Sequence, residues 1–394
     1  MPIDVARARA ETPGCTNVLH LNNAGAALPP QGVVEAQIQH LRREASTGGY
    51  EAAADAEAAR HRTYEAIATL LHASAEEIAL APNATRAWDM AFYGLPLTAG
   101  DRILTHRATY ASNGLAMLQR AEQTGATVEV VPSTPEGTID VGALEQRMDN
   151  DVALIALTHM PTNGGLVNPA EAVGAVARAA GVPYLLDACQ SAGQRPLDVA
   201  AIGCTMCAAT GRKFLRGPRG TGFLYVRRDW IDRLTPPFID LHAATWTGPS
   251  SYEWRPDAKR FETWERYVAG TIGLGVAVDY ALDWGLEAIW DRIRDLGAAL
   301  RARLQDVPSV VVRDAGREQS GIVTFSSDAC EAASIQRALR AQDINVSVST
   351  PSSTYLDAAA RDLPDLVRAS VHYYNTTDEL DRFTHALSTI LASV

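Results

Sequence analysis

Residues 208–220, Ala208-Ala209-Thr210-Gly211-Arg212-Lys213-Phe214-Leu215-Arg216-Gly217-Pro218-Arg219-Gly220, decide how this chain folds. An apolar, strand-like run from Cys204 to Ala209 stops at a turn of small residues. An Arg-Lys pair and a glycine/proline loop follow, and a second apolar run extends from Thr221 to Val226. Upstream, Pro183-Tyr184-Leu185-Leu186-Asp187 is another strand-like run that ends in a lone acid, with Gln190 shortly after it. A charged acid closing a fully apolar strand is costly unless it is paired. In an open α/β sheet, an acid at the end of one strand and a lysine just past the next face a single crevice.

Working outward, apolar periodicity marks helices over 31–48 and 51–73, separated by Gly48-Gly49. Asn83 reads as the N-cap of a helix reaching about Gly94. Strands over Arg102–Thr105, Thr127–Val131 and Val152–Thr158 then alternate with helices over Thr109–Glu122 and Val141–Met148. Asn168-Pro169 starts a helix to Ala180, with proline at its first position. This alternation predicts an α/β fold, a mostly parallel sheet with helices on both faces. Residues 235–260, rich in Pro, Trp and Gly and without clear period, read as a long functional loop. Helix formers from about 262 to 305 lead into a smaller region with strands at 309–313, 320–326 and 345–349 and helices at 331–341 and 377–392. The expected organisation is an N-terminal segment, 1–30, packing with the small domain; a large domain, 31–275; and a small C-terminal domain, 276–394.

A chain of 394 residues suits one large and one small core. A hydrophobic content of 47% is that of an ordinary globular protein, and no apolar run is long enough to span a bilayer. A net charge of −11 argues against nucleic acid or an anionic membrane surface as partner. Met1-Pro2-Ile3-Asp4-Val5-Ala6-Arg7 has no apolar signal core, so a cytoplasmic location is the default expectation. The cysteines, Cys15, Cys189, Cys204, Cys207 and Cys330, are odd in number and form no disulfide framework. Cys204-Thr205-Met206-Cys207 lacks a second Cys or His cluster, so it reads as two small buried residues and no metal is expected.

Lysine and acid in these places match a pyridoxal 5'-phosphate site, where the lysine forms the Schiff base and the acid keeps the pyridine nitrogen protonated. The match extends along the chain. From His20-Leu21-Asn22-Asn23-Ala24-Gly25 to Arg368-Ala369-Ser370-Val371-His372-Tyr373-Tyr374-Asn375-Thr376, it resembles fold-type-I pyridoxal phosphate enzymes of the class V aminotransferase group. That group takes in cysteine desulfurases, cysteine and selenocysteine lyases, and kynureninase-like and isopenicillin N epimerase-like enzymes. The resemblance implies the PLP-dependent transferase fold of type I: a large α/β domain with a mixed, mostly parallel seven-stranded sheet, and a small α+β C-terminal domain. It also implies a homodimer in which each site is completed by the neighbour. The segment Arg260-Phe261-Glu262-Thr263-Trp264-Glu265-Arg266 stands where the partner reaches the phosphate, with Glu265 in place of the family's usual Thr.

Residue by residue, the resemblance makes Lys213 the cofactor lysine, Asp187 the partner of the ring nitrogen, and Gln190 the residue reaching the phenolic oxygen. Tyr110 takes the place of the aromatic residue or His stacked on the ring, where stacking fixes the ring plane. Ala84 and Thr85, at a helix start whose free N–H groups suit a dianion, match the phosphate loop, and Asn83 replaces a more usual glycine there. Thr210 and Arg212 match the Ser and His preceding the lysine, and an arginine suits a phosphate. Arg368 matches the carboxylate-binding arginine, with Asn23 and His159 as further substrate-side candidates. Either Thr162 or Asn163 stands for the asparagine near the cofactor oxygen; Thr162 aligns better.

Desulfurases of this group carry a catalytic cysteine on a loop before that arginine. Here the loop reads Ser347-Val348-Ser349-Thr350-Pro351-Ser352-Ser353-Thr354-Tyr355-Leu356, without a thiol. The resemblance therefore favours a carbon–sulfur lyase acting by β-elimination on a cysteine-like or S-substituted cysteine substrate. An isopenicillin N epimerase-like racemase, a class V aminotransferase and, more remotely, a non-catalytic pyridoxal-phosphate-binding protein stay open. No G-x-G-x-x-G or Walker loop supports a nucleotide-binding protein.

Overall fold

The computed structural model describes residues 2–393. A seven-stranded sheet runs in the order Ile78–Ala81, Gly222–Val226, Met206–Thr210, Tyr184–Asp187, Val152–Thr158, Arg102–His106, Thr127–Val131. Gly222–Val226 alone is antiparallel to its neighbours, so the sheet is mixed and mostly parallel. Strands covered by helices on both faces must be apolar throughout, and Tyr184–Asp187, Met206–Thr210 and Gly222–Val226 are buried at every position. Thr158, Asp187 and Thr210 each close a parallel strand, which brings their side chains to one edge of the sheet.

A second, four-stranded antiparallel sheet runs Val310–Val312, Ile322–Ser327, Leu366–Ser370, Ser347–Ser349. Helices Leu286–Gln305, Ala332–Arg340 and Thr377–Ala392 pack around it. The start of the chain joins this region. Leu19–His20 pairs in parallel with Ile344–Asn345, and Asn22 bridges Ser370. Among the described residues no helix is long and apolar enough to cross a membrane.

Several segments differ from the sequence expectation. The helix expected over 51–73 breaks at Ala56 into Gly49–Asp55 and Glu57–Leu71. The long helical stretch from 262 begins at Val268 and breaks at Gly285, whose φ of 81° ends one helix and starts the next. Asn168 does not cap the next helix. Its amide bridges Ile139 N–H and Thr158 O, and Pro169 is the capping residue of Ala170–Ala180. Residues 235–260 are not wholly a loop, because Ala244–Gly248 and Ser251–Trp254 form an antiparallel hairpin. Its β-branched and aromatic residues support strands, but Gly248-Pro249 and the exposed Trp246 hide the alternation. The small-domain strand Leu366–Ser370 and the helix Tyr355–Arg361 had no clear periodic signal.

Candidate active site

The parallel strand ends and the start of the helix Ala84–Phe92 surround a cavity of about 440 Å³, part of it open to solvent. Lys213, Asp187, Gln190, Tyr110, Thr162, Thr210, Arg212, Ala84 and Thr85 all line it. The chain contains two lysines. Lys213 lies in this cavity, whereas Lys259 sits over the ring of Tyr64, 4.3 Å from its centroid.

Asp187 is buried and held from two sides. Asn113 Nδ2 donates to Oδ2 at 2.7 Å, and the Cys189 N–H donates to Oδ1 at 2.9 Å. Burial outweighs these contacts and the nearby Lys213, and pushes the carboxyl above its ordinary value of 3.8. Lys213 moves the other way. Burial lowers its pKa, Arg212 and Arg368 add to the lowering, and Cys189 and Asp187 oppose it. Arg368, also buried, is pushed down to about 10 by burial first and Arg212 second. Lys213, Arg212 and Arg368 thus converge on a site whose one carboxylate is Asp187, and the site is short of negative charge.

Asn83 shapes the cavity's other end by accepting the Arg86 N–H at 2.9 Å. This cap leaves the Ala84 and Thr85 N–H groups for another acceptor at the positive end of the helix. The approach of that helix to the sheet needs Gly222. A Cβ there would lie 2.6 Å from Ala209 O and 2.9 Å from the Asn83 carbonyl carbon.

Thr162 links the cavity to the small domain. Its Oγ1 accepts from Arg368 Nη1 at 2.6 Å and from Gln190 Nε2 at 3.3 Å. With both lone pairs engaged, its one proton is free to be donated into the cavity. Asn163 does not compete for this place, because its Nδ2 binds Thr350 O and Thr354 Oγ1.

Two substrate-side expectations are corrected. Asn23 is fully buried and occupied, donating to Ser370 O at 2.7 Å and accepting from Tyr374 OH. Its neighbour Asn22 faces Arg368 instead, with its Oδ1 3.3 Å from Nη2. His159 does not line the cavity. Its Nδ1 meets Ser191 Oγ at 3.1 Å, and burial lowers its pKa to about 3, so the ring is neutral. Side chains alternate along the exit of a strand, and Thr158 and Met160 take the cavity side. Thr210 lines the cavity but gives its proton to Thr221 O at 3.1 Å. Arg212 bonds Gly25 O through Nη1.

Sequence reasoning missed Asn113, Asn22 and Cys189. Asn113 carried a signal, since it lies one helical turn from Tyr110 on the same face.

These residues fit pyridoxal phosphate. A buried acid suits a protonated ring nitrogen, Gln190 donates Nε2 to the Thr162 hydroxyl and leaves its Oε1 unpartnered, and a helix start suits the phosphate. Among the described residues no cluster of His, Cys, Asp and Glu could hold a metal ion.

Asp187→Asn tests the charge assignment. A carboxyl with a raised folded pKa favours the fold only below its ordinary value, and that contribution is lost as pH rises through the folded value. At pH 7 the cofactor-free protein therefore carries a cost that Asn removes. The variant is expected to melt a few degrees higher than the wild-type cofactor-free protein at pH 7. The gap should close as pH falls and Asp187 protonates, and kcat should drop on the order of 10²-fold. Equal melting at all pH values would contradict the assignment.

The profile of the family described as aminotransferase class-V matches residues 19–383. A probable cysteine desulfurase of Xylella fastidiosa is 32% identical, over 94% of this chain and 90% of the relative. A cysteine desulfurase structure from Escherichia coli, in its S-sulfonic acid form, superposes with a TM-score of 0.93 at 22% identity, covering 100% of both chains. The structure of a cystine C–S lyase with its product cysteine persulfide has a TM-score of 0.86 at 24% identity, over 96% of this chain and 99% of the other.

Proposed function

The chain belongs to the class V aminotransferase family, and on that premise we propose that it is a pyridoxal-phosphate-dependent lyase. It would cleave the carbon–sulfur bond of cysteine or of an S-substituted cysteine by β-elimination. The observation that carries this reading is the loop Ser347–Leu356. It is held by Asn163 to Thr354, with Arg107 paired to Asp357 at 2.9 Å just past its end, and it contains hydroxyls and no thiol.

Pyridoxal phosphate, when bound, supplies a sink for the charge that develops at the substrate Cα. Lys213 would hold the cofactor and, once displaced by the substrate amine, take the Cα proton at Nζ. Its lowered pKa brings the neutral amine closer to neutral pH. Asp187 would hold the proton on the ring nitrogen, kept in place by Asn113 and the Cys189 N–H. Arg368 would orient the α-carboxylate with Asn22 beside it, and Thr162 would pass its free proton toward the cofactor oxygen. Tyr110 would cover one ring face. The sulfur group leaves Cβ with the bonding pair, and the three-carbon remainder hydrolyses to pyruvate and ammonia.

Cys189 is the one cysteine lining the cavity among the described residues. Burial raises its pKa, so it stays a protonated thiol and a poor nucleophile. The expected products from L-cysteine or an S-substituted cysteine are pyruvate and ammonia. Cys189→Ala should retain turnover within about threefold, the scale of an uncoupled packing change. Alanine as the product, or loss of activity in that variant with its fold intact, would refute the lyase reading. Racemised substrate or a keto acid paired with amine transfer would replace it by the epimerase or aminotransferase reading.

The same reading includes a homodimer and a cytoplasmic location. Tyr50 and Trp264, both largely exposed, line an open cleft with His242 and Arg266, and Leu241, next to His242 in the chain, is exposed too. Aromatic surface of this kind supports a partner copy, and the solution mass tests it. Five free cysteines suit a reducing compartment.

A further inference from the structure

We propose that Arg216 is a positioning residue that sets the spacing between Lys213 and Arg368 by locking the lysine turn to both ends of the chain. The inference rests on the reading that those two groups serve one substrate.

Arg216 is the largest of the fully buried side chains, and no carboxylate pairs with it among the described residues. Its guanidinium instead spends its fork on neutral acceptors. Nε donates to Leu28 O at 2.8 Å, Nη1 to Tyr373 OH at 2.7 Å, and Nη2 to Thr12 Oγ1. Three ring faces surround it, those of Tyr374 at 4.6 Å, Tyr373 at 5.2 Å and Tyr280 at 5.6 Å. Only a planar, weakly hydrated cation can fill all these places at once. The backbone at Arg216 is left-handed, with φ 60°, and its N–H closes the turn on Lys213 O at 2.9 Å. A side-chain-bearing residue holds that conformation only where its surroundings impose it.

The segments it grips are those that hold Arg368. Leu28 follows the N-terminal stretch in which Asn22 touches Arg368 and Ala27 N–H bonds Arg212 O at 2.9 Å. Tyr373 follows the strand Leu366–Ser370 that carries Arg368, and beside it His372 Nε2 meets Phe214 O at 3.0 Å. The lysine turn is therefore hooked to the small domain at adjacent points, and Arg216 reaches the N-terminal stretch as well. Elements tied in this way move together or not at all.

Removing a buried, unpaired cation relieves its desolvation but leaves Leu28 O without its donor. Arg216→Met in the cofactor-loaded protein should thus fold with a lowered melting temperature, and the binding cycle rather than the melt separates this role from mere packing. It should bind glycine, followed by the change in cofactor absorption, about tenfold more weakly, and kcat/KM for L-cysteine should fall by a similar factor, the range of coupling within one hydrogen-bonded network. Arg216→Lys should not restore binding, since an ammonium lacks the fork. In an Arg368→Gln background, Arg216→Met should cost less than about twofold in glycine affinity. Wild-type glycine affinity in Arg216→Met, or an undiminished loss in the Arg368→Gln background, would overturn the proposal. If Arg216→Met does not fold, Arg216→Lys carries the same cycle. Glycine binding needs no carbon–sulfur cleavage, so a failed lyase assay and a failed Arg216 cycle give different results.

Discussion

Lys213→Ala is expected to abolish turnover and covalent cofactor attachment together. The chain's two lysines make this test unusually clean. A cofactor fixed by borohydride can appear on one of only two peptides, and Lys259 is removed from the cavity, over Tyr64. On the proposed reading Lys213 would combine two roles, anchoring the cofactor and then serving as the base at Cα. A positioned base alone contributes up to about 10⁴-fold, so kcat should fall by on the order of 10⁴ or more. The fold should persist, because deleting a buried amine also removes its desolvation cost. The native protein should show the long-wavelength absorption of a lysine-bound cofactor, and the variant should lose it. Attachment mapped to Lys259, or turnover within about tenfold of wild type, would remove Lys213 from the centre of the site.

Arg368→Ala has the second-largest expected effect, and it falls on the substrate. Arg368 is buried without a carboxylate, with Thr162 Oγ1 and Asn22 Oδ1 as its side-chain partners, and its pKa is depressed to about 10. Those features describe a cation waiting for an anion. A substrate carboxylate that loses such a partner costs about 2–5 kcal/mol of transition-state stabilisation. Cofactor absorbance should survive while kcat/KM drops by that amount, and the loss should be smaller for an amine without a carboxylate. An unchanged kcat/KM would rule the role out.

What the sequence showed and hid follows from the range of each signal. Asp187 was legible because it ends an apolar strand, and Lys213 because it follows the next one across a small-residue turn, patterns contained within about ten residues. The mostly parallel sheet followed from the alternation of such strands with helices, and its seven strands from the resemblance to the family. Asn22 against Asn23, and Met160 against His159, were not legible. Choosing between neighbours requires the phase of the backbone where a strand gives way to a turn, and no local composition sets it. Arg216 carries no local signal in the sequence. Its partners, Thr12, Leu28 and Tyr373, lie 204, 188 and 157 residues away. The hairpin at 244–254 was lost for a different reason, because an exposed aromatic strand resembles a loop when both its faces meet solvent.

The meeting of Asn22 and Asn23 with Ser370 has a consequence for how the protein is made. Asn23 and Ser370 are 347 residues apart, and Arg368, which Asn22 touches, belongs to the later strand. At 5–20 residues per second, a ribosome needs roughly 20–70 s to supply the second after the first. Throughout that time the amino-terminal stretch is without Ser370, and Thr162 and Asn22 are without Arg368. The seven-stranded sheet can form earlier, since its last strand in chain order ends at Val226. The crevice that carries Lys213 can therefore form on the nascent chain before the strand that carries Arg368 has been made.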